Sequence, residues 1–275
     1  LAIMKKNQII LLSVGIIAVV LLYMLPTSVV DNKENEALQF VDESKPGGEV
    51  IDHSSEIPEE IQPKIDFWKE KLVSNAKIKK DEVALDSLMV VFQTINQYDS
   101  AAYYAESFAK EFNTLTLWQK AGDAYFEAFT FALEPQKVER LGIKTREMYS
   151  KVLEQTPDNL DVKNNLAMTY IASSNPMQGI MMLREILETD EKNEKALLNM
   201  GRLSMQSNQF DKAVERFEAL VGYHPNSLDG NYLLAVCYYE TGQNDKAKAQ
   251  FQKVKNMDTD PAVQTAANEY LQRIK

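Results

Sequence analysis

Three consecutive stretches decide the fold: LDVKNNLAMTYIASSNPMQGIMMLREILETDEKN (160–193), EKALLNMGRLSMQSNQFDKAVERFEALVGYHPNS (194–227) and LDGNYLLAVCYYETGQNDKAKAQFQKVKNMDTDP (228–261). Each is 34 residues long, and the three align without a gap. Small residues recur at the eighth position (Ala167, Gly201, Ala235) and the twentieth (Gly179, Ala213, Ala247). Bulky ones recur at the seventh (Leu166, Met200, Leu234), the twenty-fourth (Leu183, Phe217, Phe251) and the twenty-seventh (Ile186, Leu220, Val254). Antiparallel helices approach closely only where both carry small side chains, and large ones interdigitate on either side of the crossing. The apolar spacing of three and four gives two amphipathic helices per segment. Ser174-Asn175-Pro176, Ser207-Asn208-Gln209 and Thr241-Gly242-Gln243-Asn244 supply the turns between them. The chain is therefore expected to be all-α, built of units that cannot bury their apolar faces alone.

At this level of detail the sequence resembles the tetratricopeptide repeat family, through NNLAMTY and LLAVCYY in first helices, FDKAVERFEAL and NDKAKAQFQKV in second helices, and Pro225 near a repeat end. A divergent copy begins just before Trp118, with Trp118, Ala121, Gly122 and Tyr125 at positions 4, 7, 8 and 11, and Tyr149, Val152 and Pro157 at 24, 27 and 32. A weaker copy precedes it, carried by Leu85, Leu88, Met89 and Phe92, then Tyr98, Ala101, Ala105 and Phe108. The expected units are 82–114, 115–159, 160–193, 194–227 and 228–261, with a capping helix within 59–81 and another over 262–275. The resemblance implies a right-handed superhelical solenoid of antiparallel helix pairs.

The second unit departs from the period. Eighteen residues separate Phe126 from Thr145 where a regular repeat has seven, an insertion of eleven. Eleven residues are close to three helical turns, so the apolar phase continues through Val138, Leu141, Thr145, Met148 and Val152. The spacing predicts a long hairpin, with helices near 116–133 and 136–155 and Pro135 suited to a first turn. Its tip carries Phe129, Phe131 and Leu133, which either pack on the preceding helices or dock a partner.

The resemblance also implies a concave groove lined by first helices at positions 2, 5, 9, 12 and 13. Here those include Asn164, Met168, Ile171, Leu198, Arg202, Met205, Tyr232, Val236 and Tyr239. Methionine and tyrosine suit adaptable contact with a peptide or helix, while some of these side chains could instead close the superhelix or meet the C-terminal cap. The basic clamp with which chaperone-binding relatives hold acidic C-termini has no counterpart: positions 5 and 9 hold Gln119 and Asp123, Asn164 and Met168, Leu198 and Arg202, Tyr232 and Val236.

Composition narrows the classes of function. The net charge is −10 over 275 residues, which opposes tracking of a nucleic-acid backbone. One cysteine, Cys237, forms no intramolecular disulfide and no thiolate zinc site, and is expected as a small packed residue. His53 and His224 lie far apart without ligand-spaced neighbours, Met181 and Met182 read as a core-and-edge pair, and no glycine-rich phosphate loop or HExxH is present. No catalytic residue, cofactor, metal or small-molecule substrate is expected.

The N-terminal part is of a different kind. Residues 1–8 hold Lys5 and Lys6, Ile9–Leu25 is an uncharged apolar run extended by 27–30, and Asp31 follows. The run is expected to be a transmembrane anchor over 9–30, and the lysines place its N-terminus in the cytoplasm. A cleaved signal peptide is the competing reading, without a small-residue cleavage site after Tyr23 to support it. The chain opens LAIM, and starting at Met4 leaves the anchor unaffected. Residues 31–58, rich in acids with a Pro-Gly-Gly break, read as a flexible stalk. The function expected is a non-enzymatic, single-pass scaffold of the inner membrane. Its repeat domain, in the periplasm or extracytoplasmic space, binds a peptide or protein during assembly or chaperoning of an envelope complex. An accessory subunit of a cytochrome c maturation type and a cleaved secreted peptide binder stand as alternatives.

Overall fold

The computed structural model describes residues 57–73 and 78–274. All of them fall in one compact unit, 51–275. The expected anchor, 9–30, and nearly all of the stalk lie outside the described residues, among which no helix is long and apolar enough to cross a membrane.

The described residues form twelve α-helices and no strand. They are α1 (Gln62–Val73), α2 (Ile78–Thr94), α3 (Tyr98–Phe112), α4 (Leu115–Phe131), α5 (Pro135–Leu153), α6 (Leu160–Ile171), α7 (Pro176–Thr189), α8 (Glu194–Gln206), α9 (Phe210–Tyr223), α10 (Leu228–Glu240), α11 (Asn244–Met257) and α12 (Pro261–Arg273). Each helix packs on the next in sequence, so α2/α3, α4/α5, α6/α7, α8/α9 and α10/α11 are five antiparallel pairs stacked as a helical-repeat solenoid. The long hairpin of the second pair runs 115–131 and 135–153.

Polar residues set the helix ends at the repeat period. Asn159, Asn193 and Ser227, spaced by 34, cap α6, α8 and α10 by accepting from the backbone N–H of Val162, Ala196 and Gly230. Thr114 does the same for α4 from Leu117 N–H. Three of the turns inside pairs close with a left-handed residue: Asn96 at φ 58°, Asn208 at φ 55° and Gly242 at φ 72°. In each, the next residue donates back five positions, Gln97 to Phe92, Gln209 to Ser204 and Gln243 to Tyr238, which stops the first helix and reverses the chain.

Packing inside the pairs follows the size pattern. A Cβ on Gly122 would lie 2.5 Å from the Tyr149 ring, and one on Gly201 2.5 Å from the Phe217 ring. The eighth position is therefore glycine in two pairs whose twenty-fourth position is a fully buried aromatic. In α6/α7 the roles reverse: Ala167 faces the smaller Leu183, and the glycine moves to position twenty, Gly179, against the Ala167 carbonyl. At the ends, Ile65 of α1 is buried among Leu88, Phe92 and Ala101, and Tyr270 of α12 stacks on Phe251 at 4.7 Å.

Candidate functional site

Successive first helices lie side by side, joined by bonds that repeat with the sequence period. Lys120 Nζ on α4 meets Asp86 on α2 at 2.5 Å, and Lys195 on α8 meets Asp161 on α6 at 2.7 Å, each pair 34 residues apart. Gln93 donates to Glu127 at 2.6 Å at the same separation, and Asn199 donates to Asn164 at 3.2 Å one residue beyond it. On the next step Arg202 of α8 reaches Asp229 of α10 at 2.7 Å. The three ion pairs are at least partly exposed, so each contributes little to stability, and each cation in them is compensated by its acid.

The nine expected groove residues divide by burial. Asn164 is 3% exposed and Val236 8%, so both belong to the wall between helices. Arg202 is exposed and held by Asp229. Tyr232 and Tyr239 are half-buried against the C-terminal helix, edge-to-face with Tyr270 at 6.4 and 5.4 Å. That leaves Met168, Ile171, Leu198 and Met205, partly buried along α6 and α8 with the last three resting against the core, as an apolar line beside the ion pairs. Burial pushes the Cys237 thiol up to about 12, so this cysteine is a packed side chain of α10 with no thiolate at neutral pH. Among the described residues no group of three His, Cys, Asp or Glu could hold a metal ion.

Residues 171–227 and 205–269 match the family model described as tetratricopeptide repeat. This part of the chain carries tetratricopeptide repeats. Among curated proteins, the human intraflagellar transport protein 88 homolog is 28% identical over 98 residues, 34% of this chain and 12% of that protein. Human mitochondrial import receptor subunit TOM70 is 23% identical over 106 residues, 38% of this chain and 17% of that protein. The chain thus spans less than a fifth of the length of either. Among solved structures, the repeat protein YrrB aligns over 76% of this chain and 97% of its own, at 17% identity and a TM-score of 0.43.

The extended hairpin forms a second region of interest. Its three expected tip aromatics and aliphatics separate: Phe129 packs inward, beside Phe126 at 5.9 Å and under Gly142, whereas Phe131 is 57% and Leu133 94% exposed. The first turns of α5 reach back to α3 through a ladder of charges not anticipated from the sequence. Lys137 Nζ lies 3.0 Å from Asp99 and Lys144 Nζ 3.3 Å from Glu106, each acid buried and each pair of partners seven residues apart on its helix. Glu106 also accepts from Tyr125 Oη and pairs with Lys110. Burial raises the Glu106 pKa, but the bonds from Lys110 and Tyr125 and the charge of Lys144 outweigh it, holding the carboxyl below the usual range. The available signal was the matching seven-residue spacing, Asp99 to Glu106 and Lys137 to Lys144.

Proposed function

We propose that this chain is a non-enzymatic scaffold that holds an apolar polypeptide segment of a partner along its first helices. The supporting observation is the line Met168, Ile171, Leu198 and Met205, partly buried but still reaching the surface of α6 and α8, beside charges engaged with one another. Methionine adapts to irregular apolar surfaces, and the compensated rim favours an uncharged stretch, helical or extended, over an acidic tail. The reading extends to location. Segment 9–30 serves as a single N-in/C-out span, with the repeats in the extracytoplasmic space, the periplasm of a Gram-negative cell. There the domain takes part in assembly or chaperoning of an envelope complex. Its support is the uncharged run after Lys5 and Lys6 and the acidic stretch behind it.

A photo-crosslinking side chain placed at Leu198 or Met205 in the full chain is expected to capture a partner that the same group at Lys253 on α11 does not. Equal capture from both, or none from the first-helix positions, refutes the groove. An alkaline phosphatase fused to the C-terminus is expected to be active in cells; an inactive fusion refutes the placement, and a mature N-terminus near residue 27 refutes the anchor.

A further inference from the structure

The ion pairs along the row of first helices leave one acid over. Asp86 on α2, Asp123 on α4 and Asp161 on α6 stand on successive members of the row, and two lysines answer them. Asp86 holds Lys120 at 2.5 Å and Asp161 holds Lys195 at 2.7 Å. Among the described residues no cation lies within 4 Å of Asp123, which is exposed.

Asp123 is nonetheless fixed in place. Its Oδ1 accepts from Tyr149 Oη at 2.7 Å, and that hydroxyl oxygen accepts in turn from Asn165 Nδ2 at 3.1 Å. Tyr149 is fully buried, and burial together with the Asp123 charge pushes its pKa up, so the hydroxyl stays a donor. The other group that supports the carboxylate, the Gln119 amide one turn earlier on α4, is neutral too. Desolvation by the surrounding helices raises the Asp123 pKa and the Asp161 charge adds to it, outweighing the Tyr149 bond and the charge of Lys195. The carboxylate thus lies in the field of the Asp161–Lys195 pair, where an approaching cation would offset both effects that disfavour its charge.

The repeat register ties this position to the apolar line. Asp123 and Met168 both hold the ninth place of their repeats, and Phe126 and Ile171 both hold the twelfth. Phe126 rests partly buried against the core, as Ile171 does. The line of α6 and α8 therefore continues onto α4 at Phe126, with a carboxylate where α6 has a methionine. We infer that the segment held along the first helices carries a lysine or arginine where it passes α4, its cation paired with Asp123. This rests on the groove reading and adds one charge to it: the segment is uncharged over Met168, Leu198 and Met205 and basic at the next first helix. An acidic side chain would meet Asp123 and Asp161 together, and a neutral one would desolvate Asp123 further without a counter-charge.

The probe is a phage-displayed library of random dodecapeptides, selected on the full chain in nanodiscs and counter-selected on empty ones. Enriched peptides are expected to combine an apolar run with one basic residue at a constant spacing. Asp123→Asn keeps an acceptor for Tyr149, so its melting curve should match the parent's while its selection loses the basic residue and keeps the apolar run. For the best peptide, fluorescence anisotropy should show about fivefold weaker binding to Asp123→Asn, the same loss when norleucine replaces the basic residue, and no further loss when both changes are made. Lys195→Ala, which frees Asp161 without touching Tyr149, should tighten binding of the basic peptide about twofold. Apolar peptides enriched without a basic residue, losses that add, or unchanged affinity in Lys195→Ala overturn the pairing and leave the groove standing. No enrichment over empty nanodiscs overturns the groove, and the pairing with it.

Discussion

Gly179 offers the sharpest test of why the repeats alternate small and large residues. It stands in the first turns of α7 where that helix crosses α6. A Cβ there would run into the Ala167 carbonyl oxygen, 2.7 Å from Ile171 Cγ1 and 3.0 Å from the Ile171 backbone nitrogen. Two of the three obstacles are backbone, so relief requires the helices to separate around Leu183 and Ile186, both fully buried. Overpacking of this kind costs about 1–3 kcal/mol, and rigid neighbours push it to the upper part of that span. Against it stands the helix propensity gained from Gly to Ala, at most about 1 kcal/mol. Gly179→Ala is therefore expected to lose about 1–2 kcal/mol net. Gly222, in α9, supplies the control, because a Cβ there meets nothing within 4 Å. Gly222→Ala keeps only the propensity gain and should stabilise by about 0.5–1 kcal/mol. Gly201→Ala should also destabilise, but its obstacle is a side chain, the fully buried Phe217 ring, so Phe217→Leu should offset part of the loss by recreating the Ala167–Leu183 pairing. The assay is urea unfolding followed by far-UV circular dichroism, with transition midpoints compared because stacked repeats can unfold in steps. A Gly179→Ala midpoint at or above that of the parent, or equal to that of Gly222→Ala, would refute the crossing as the reason for the glycine.

Three further outcomes follow from the charges. Because the folded Glu106 pKa is depressed, its contribution is fully present above the ordinary value of 4.5 and is lost as pH falls through the folded value. Glu106→Gln should cost about 2 kcal/mol at neutral pH and flatten the acid limb of a melting-temperature profile; an unchanged acid limb sinks the assignment. Lys137→Ala removes the nearest cation from buried Asp99, so circular dichroism should keep its helicity while the melting temperature falls, and adding Asp99→Asn should restore part of it. No restoration would show that the loss lies in packing of the tip. Arg202→Ala is expected to change stability by less than about 0.5 kcal/mol, since its pair with Asp229 is half-exposed, and a larger loss in urea titration would refute the weak contribution of that pair.

The helical pairs from Leu160 onward were legible because translation by one repeat places equivalent residues in equivalent surroundings. Asn159, Asn193 and Ser227 cap at one interval, and Asp161 finds Lys195 at the same interval, so a period in the string becomes a period in space. The groove was less legible. Periodicity assigns a residue to a helix face but not to what the neighbouring helix does with it: Asn164 is taken up by Asn199, and Tyr232 and Tyr239 by Tyr270. Both substitutions for a ligand come from the adjacent element, and the second comes from α12, which has no equivalent inside the repeats.

The extended hairpin shows the limit of the same logic. An insertion of three helical turns keeps the apolar phase, so Leu141, Met148 and Val152 are buried as their spacing requires. Outside the repeat frame, however, the added turns meet partners that no other unit presents. The exposed flanks of α3 become a contact surface, and Asp99 and Glu106 are buried only because Lys137 and Lys144 arrive to balance them. An isolated carboxylate is costly to keep charged at such depth, so each acid on α3 depends on the base that α5 brings to it. Glu106 accepts from Tyr125 and pairs with Lys110 and Lys144, whereas Asp99 accepts from the Ser100 N–H and is balanced by Lys137 and Arg140. The two rungs are alike in charge but differ in hydrogen bonding, so losing Lys144 leaves Glu106 with Lys110 and Tyr125, whereas losing Lys137 takes from Asp99 its nearest cation.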